Sequence, residues 1–189
     1  MINWANNITI FRIILIPFFV EMILKYNQTS LGQGEHFRWA AVAIFFTAVV
    51  TDAVDGFIAR WRNQITELGK VLDPVADKLL LLSAIVLLSM RGHLATLPLW
   101  FVITVFSRDV IILLGALILH LFNGHVKIAP SFLGKATTVS QMTAVLWVML
   151  GWAQPQVAWR IAGLLTVVSG FAYVFEGTRQ INASAVSPT

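Results

Sequence analysis

Apolar runs the length of long helices recur from one end of the chain to the other. The clearest cover 8–24, 37–50, 79–90, 94–107, 110–119, 145–152 and 161–175. A helix needs about 20 mostly apolar residues to span a bilayer. Joining runs that are broken by one or two polar residues predicts six helices, at 8–26, 37–60, 73–91, 95–121, 134–153 and 157–178. Turn residues separate them: NQTSLGQG over 27–34, Gly92, Asn123 with Gly124, Ala129 with Pro130, and Gln154 with Pro155 and Gln156. No internal repeat or low-complexity tract interrupts the pattern. The reading is an all-α, polytopic membrane protein with about six transmembrane helices. It forms one membrane domain over 1–180 with no soluble domain attached, and the small, polar tail 181–189 is expected to be disordered.

Composition supports this. Hydrophobic residues make up 58% of the 189 positions and charged residues 12%, about half the roughly 25% usual in soluble domains. Mean hydropathy is +0.79. The chain has no cysteine, which excludes disulfides, zinc–thiolate sites and a thiol nucleophile. The start has neither the basic leader nor the small-residue cleavage site of a signal peptide, so it reads as the first span, retained.

Net charge is +4. In a soluble protein that would suggest nucleic acid, but here the cations sit at span ends. With the N-terminus inside, eight fall on inside segments (Arg12, Arg60, Arg62, Lys70, Lys78, Lys127, Lys135 and Arg179). Four fall outside (Lys25, Arg38, Arg91 and Arg160), and Arg108 within the fourth span completes the thirteen. The positive-inside rule therefore puts both termini, and the second-to-third and fourth-to-fifth connections, in the cytoplasm.

One stretch departs from the apolar pattern. Residues 51–78 hold four of the five aspartates, the fifth being Asp109. Asp52 and Asp55 are three apart, and Asp73 and Asp77 four apart, so each pair shares a helix face. Gly56 and Ala59 carry almost no side chain and would let a nucleotide lie against the backbone. Asp73 before Pro74 suits a helix N-cap. Antiparallel packing of the two helices would point all four carboxylates into one space. Bare carboxylates so gathered repel one another, and divalent metal relieves the repulsion. All-oxygen ligation suits Mg²⁺ or Mn²⁺, and four carboxylates suffice to bridge two ions about 3.5–4 Å apart. Arg60 and Lys78 could meet phosphate oxygens. A solvated helix end with ordinary capping aspartates is the plain alternative. It does not explain why the carboxylates and the small residues fall on the same faces, inside a membrane span where charge is costly.

The segment reads D-x2-D-G-x2-A-R-x8-G-x3-D-x3-D without deviation, at Asp52, Asp55, Gly56, Ala59, Arg60, Gly69, Asp73 and Asp77. This resembles the signature of the CDP-alcohol phosphatidyltransferase family. The start from Asn6 to Pro17 resembles that family's first helix, and PSFLGKATT from Pro130 to Thr138 a later basic segment. The resemblance implies a six-helix membrane fold with its active site at the cytoplasmic side, in a bacterial inner membrane. It implies two divalent cations, Mg²⁺ or Mn²⁺, on the pyrophosphate of CDP-diacylglycerol. By position, Asp52, Asp55 and Asp73 would be metal ligands. Asp77 would complete the metal site and act as general base on the acceptor hydroxyl. Gly56, Ala59, Arg60 and Gly69 would shape the CDP pocket. The implied partners are CDP-diacylglycerol, a phosphate-bearing alcohol and membrane lipids, without nucleic acid; a homodimer is left open.

The acceptor is read from weaker signals. Arg108 beside Asp109, inside the fourth span, is either an ion pair holding helices together or a reader of the acceptor's phosphate; the second is preferred. Lys135 after Gly134 is assigned the same role against that of a cytoplasmic anchor. Two cations suit a phosphate monoester, which favours glycerol 3-phosphate as acceptor and phosphatidylglycerophosphate as product. The run FSRDV from Phe106 to Val110 resembles the branch that uses phosphatidylglycerol and forms cardiolipin, and the following IILLGALIL lacks a further arginine found in many glycerophosphate-using relatives. Asn7, Thr9 and Arg12 open the first helix and are explained by donor-headgroup contact or by capping and snorkelling. Glu21 has no explanation in sequence. Two other classes compete, an intramembrane prenyltransferase and a divalent-cation transporter. The first has more spans and wider motif spacing, and the second would spread its acids mid-membrane over several spans.

Overall fold

A computed structural model describes the backbone of residues 4–30, 32–62, 67–90, 92, 94, 96–123 and 132–186. The side chains of 4–8, 52–62, 67–74, 116–123 and 180–186 lie outside the described residues, as do the expected turns at 124–131 and the cations Arg91 and Lys127. Among the described residues there are six helices and no strand: α1 (Trp4–Gln28), α2 (Glu35–Arg62), α3 (Glu67–Ser89), α4 (Leu99–Asn123), α5 (Phe132–Leu150) and α6 (Pro155–Val186). The hydrophobic pattern thus located every helix. α1, α2 and α6 outrun their apolar runs at both ends, whereas α4 starts only at Leu99, after Pro98, and α5 stops at Leu150, before Gly151. α6 continues to Val186, into the segment expected as a disordered tail; INASAV holds neither glycine nor proline to stop it. α3 begins at Glu67, so Asp73 is an internal helical residue rather than an N-cap. Pro74, the eighth residue of α3, has no N–H to donate to the carbonyl four residues back, so the helix runs through it at the cost of one hydrogen bond.

The chain divides into two compact units, Met1–Thr96 with Val145–Trp152, and Leu97–Ala144 with Ala153–Thr189. In the first, α1 packs on both α2 and α3. Phe19, Ile23 and Tyr26 of α1 follow i, i+4, i+7 spacing, as do Ala41, Phe45 and Ala48 of α2, and all six are buried. Phe19 and Phe45 meet with ring centroids 5.7 Å apart. The small residues Ala76 and Ala84 are fully buried on α3, where they let backbones approach closely. Glu21 pairs with Lys25 one turn on, at 2.7 Å, on the exposed face, and this accounts for the acid left unexplained in sequence. α5 ends in a Schellman motif. The Trp152 N–H donates to Trp147 O and the Gly151 N–H to Val148 O, with Gly151 at φ 68, where a side chain would be strained.

In the second unit α4 packs on α6, beside the first part of α5. α6 opens with Pro155, a first position that needs no N–H donor. The unit's interior is partly polar: Arg108, Thr137, Gln141, Thr166 and Ser169 are all buried. Gln141 donates through Nε2 to Thr166 Oγ1 at 2.8 Å, and Thr137 donates to Leu165 O at 3.2 Å. Among the described residues one helix segment, Pro155–Arg179, is long and apolar enough to cross a membrane.

Candidate active site

The acid pairs stand at similar distances along consecutive helices from the connection between them. Asp52 stands ten residues before the end of α2 at Arg62, and Asp77 ten after the start of α3 at Glu67. At a rise of about 1.5 Å per residue each is roughly 15 Å along its helix from the connection, and Asp55 and Asp73 are each about 10 Å from it. Gly56, Ala59 and Arg60 follow on α2, and Gly69 precedes on α3. The side chains of Asp52, Asp55, Arg60 and Asp73 lie outside the described residues. Among the described residues no group of three His, Cys, Asp or Glu converges on a metal position.

Asp77 is the described member of the four. Arg12 of α1 donates from Nη1 to Asp77 Oδ1 at 2.6 Å. The Arg12 side chain is 3% exposed and that of Asp77 27%. Thr9, one turn earlier on α1, is buried as well. The first helix therefore reaches the carboxylate site through a buried guanidinium, a contact that sequence reasoning missed. One signal pointed to it: a lone cation in the apolar run FRIILIP must find an anion if it is withdrawn from water.

The two residues assigned to the acceptor belong to the second unit. Arg108 is 7% exposed. It donates from Nη1 to Asp109 Oδ1 at 2.9 Å and from Nη2 to Ser169 Oγ at 3.1 Å, and its guanidinium lies 5.5 Å from the Tyr173 ring centroid. The stem passes beside Gly170, where a Cβ would be in ordinary contact at 3.6 Å from Arg108 Cγ. Arg108 Nε is buried with no hydrogen-bond partner. Lys135 is exposed in the first turn of α5, after the buried Gly134.

Two acid pairs thus stand on successive helices, and the described member, Asp77, is held by a buried arginine. The chain belongs to the CDP-alcohol phosphatidyltransferase family, which residues 2–174 match. It is 36% identical over 187 residues to a probable phosphatidylglycerophosphate synthase of Mycobacterium tuberculosis, covering 95% of this chain and 83% of that protein. It is 38% identical over 149 residues to the CDP-diacylglycerol–glycerol-3-phosphate 3-phosphatidyltransferase of Escherichia coli strain K12, covering 78% and 76% respectively. A Shigella flexneri protein of that same name is 39% identical over 149 residues. The chain is thus a phospholipid-synthesising transferase of this family, and the prenyltransferase and cation-transporter readings fall away.

Proposed function

We propose that this enzyme transfers the phosphatidyl group of CDP-diacylglycerol to glycerol 3-phosphate, forming phosphatidylglycerophosphate and releasing CMP. The observation that carries this is the unbroken eight-position signature on α2 and α3, in a chain whose relatives are named for that acceptor. Those names also favour glycerol 3-phosphate over phosphatidylglycerol.

Asp52, Asp55, Asp73 and Asp77 would hold two divalent cations, Mg²⁺ or Mn²⁺. The donor set fits: every candidate ligand is a carboxylate, and the pairs stand at similar distances along α2 and α3 from the connection between them. Bound there, the ions would neutralise the pyrophosphate and make CMP a better leaving group. The residues themselves do the rest. Gly56, Ala59 and Gly69 leave room for the nucleotide, and Arg60 meets its phosphates. The acceptor hydroxyl oxygen bonds to the phosphorus bearing the lipid as the phosphorus–oxygen bond to CMP breaks. Asp77 takes the hydroxyl proton late in that step. Arg108 and Lys135 bind the acceptor's phosphate; support comes from the buried guanidinium of the one and the exposed ammonium of the other.

We infer that the six helices span a bacterial inner membrane with the carboxylate site on the cytoplasmic side. The support is an inside-out distribution of polarity. Ile10, Phe11, Ile14, Phe18, Phe46, Ile103, Leu113 and Phe171 are exposed, while Thr9, Arg12, Arg108, Gln141 and Ser169 are buried. Lipid accepts the first set, and polar groups withdrawn from lipid must bond inside.

The test separates Asp77 from the other aspartates. Asp77→Asn should keep CDP-diacylglycerol affinity while turnover falls by ~10²–10⁴, the usual contribution of a general base. Asp55→Asn should lose donor affinity and turnover together. If Asp77→Asn loses donor affinity as badly as Asp55→Asn, Asp77 is chiefly a ligand and another group takes the proton.

A further inference from the structure

The geometry points to Arg12, through its bond to Asp77 Oδ1, as a residue that positions Asp77 for proton transfer, an inference that rests on Asp77 being the base. Arg12 lies in a stretch of α1 whose neighbours Phe11, Ile13 and Ile14 face outward, yet its own side chain turns inward and is 3% exposed. Withdrawing a guanidinium from water is costly unless it meets a carboxylate in good geometry. Arg12 meets Asp77 Oδ1 at 2.6 Å, across 65 positions of sequence and from α1 to α3. Donor and acceptor are both charged, which makes such a bond short and strong.

A carboxylate left to itself turns broadly about its last side-chain bond. One that must receive a proton has to lie within about 2.6–3.2 Å of it, correctly turned. A guanidinium buried on a packed helix is a fixed donor, so its bond to Oδ1 restricts the rotation of the Asp77 carboxyl before substrate arrives. The orientation is then established on folding and not at each turnover. Arg12 touches neither substrate nor reacting atoms on this account and acts through Asp77. The first helix becomes part of the active site because it carries the guanidinium that holds the base.

A double-mutant cycle on the full-length enzyme in detergent decides the matter. Arg12→Gln should lower turnover by about 10–100-fold, as losses of orienting partners do, while CDP-diacylglycerol affinity, measured by direct binding, stays within about threefold. In an Asp77→Asn background the same change should cost less than about threefold, because the group it orients no longer takes the proton. Arg12→Lys should recover part of the loss, since an ammonium supplies the charge without the planar fork. The inference is overturned if the Arg12→Gln loss persists in full beside Asp77→Asn, if donor affinity falls in step with turnover, or if Arg12→Lys is no better than Arg12→Gln. Where thermal melting shows Arg12→Gln unfolded, Arg12→Lys carries the cycle, and its loss must likewise vanish beside Asp77→Asn. Failure of the base assignment is seen separately, in the donor affinity of Asp77→Asn alone.

Discussion

Replacing Arg108 with alanine tests whether this buried cation holds helices together, binds the acceptor, or does both. The change removes the bond to Asp109, the bond from α4 to Ser169 on α6, and the cation–π contact with Tyr173. Polar bonds inside a helical membrane protein are worth about 0.6 kcal/mol on average and up to roughly 1.7, and a desolvated cation–π contact about 0.5–2. The lost stem also leaves space beside Gly170. The expected loss is about 2–4 kcal/mol, whereas Ser169→Ala, which takes one of these bonds and leaves the guanidinium, should cost roughly 0.6–1.5 kcal/mol. Equilibrium unfolding in mixed micelles, followed by tryptophan fluorescence, measures both. An Arg108→Ala protein within about 0.5 kcal/mol of the parent would refute the stability reasoning, since surface changes alone stay in that range. Kinetics on the folded fraction tests the second role. Acceptor KM should rise at least about tenfold with donor KM within about twofold, the pattern of a lost acceptor contact, while Ser169→Ala leaves both unchanged. An unaltered acceptor KM in folded Arg108→Ala would leave Arg108 a packing residue only.

Two further expectations follow from the proposed site and its orientation. Activity should vanish in excess chelator and return with Mg²⁺ or Mn²⁺, because four carboxylates would repel a pyrophosphate without divalent cations between them; full activity with chelator present would sink the two-cation assignment. A cysteine placed by Asn63→Cys in this cysteine-free chain should resist impermeant thiol reagents applied to intact cells and react in inverted membrane vesicles. Labelling from outside would move the carboxylate site to the other face.

How much could be read from sequence differs from residue to residue. The six helices were legible because long apolar runs recur with turn residues between most of them, and among the described residues there is a helix for every run. The ends were less legible. Asp73 before Pro74 looks locally like a helix start, but α3 begins at Glu67, and the helix runs through the proline at the cost of one hydrogen bond. Asp52, Asp55, Asp73 and Asp77 stood out because acids are rare in such a chain and their i, i+3 and i, i+4 spacing is local.

The sequence by itself therefore determined the helices, the carboxylate pairs and the family, all of which depend on periodicity and on spacing within a few turns. Only the tertiary structure decided which buried polar groups meet. Arg12 and Asp77 are separated by 65 positions and Arg108 and Ser169 by 61, and no periodicity links residues on different helices. The requirement that a buried charge find a partner says that Arg12 must have one. Only the packing of α1 against α3 says that the partner is Asp77.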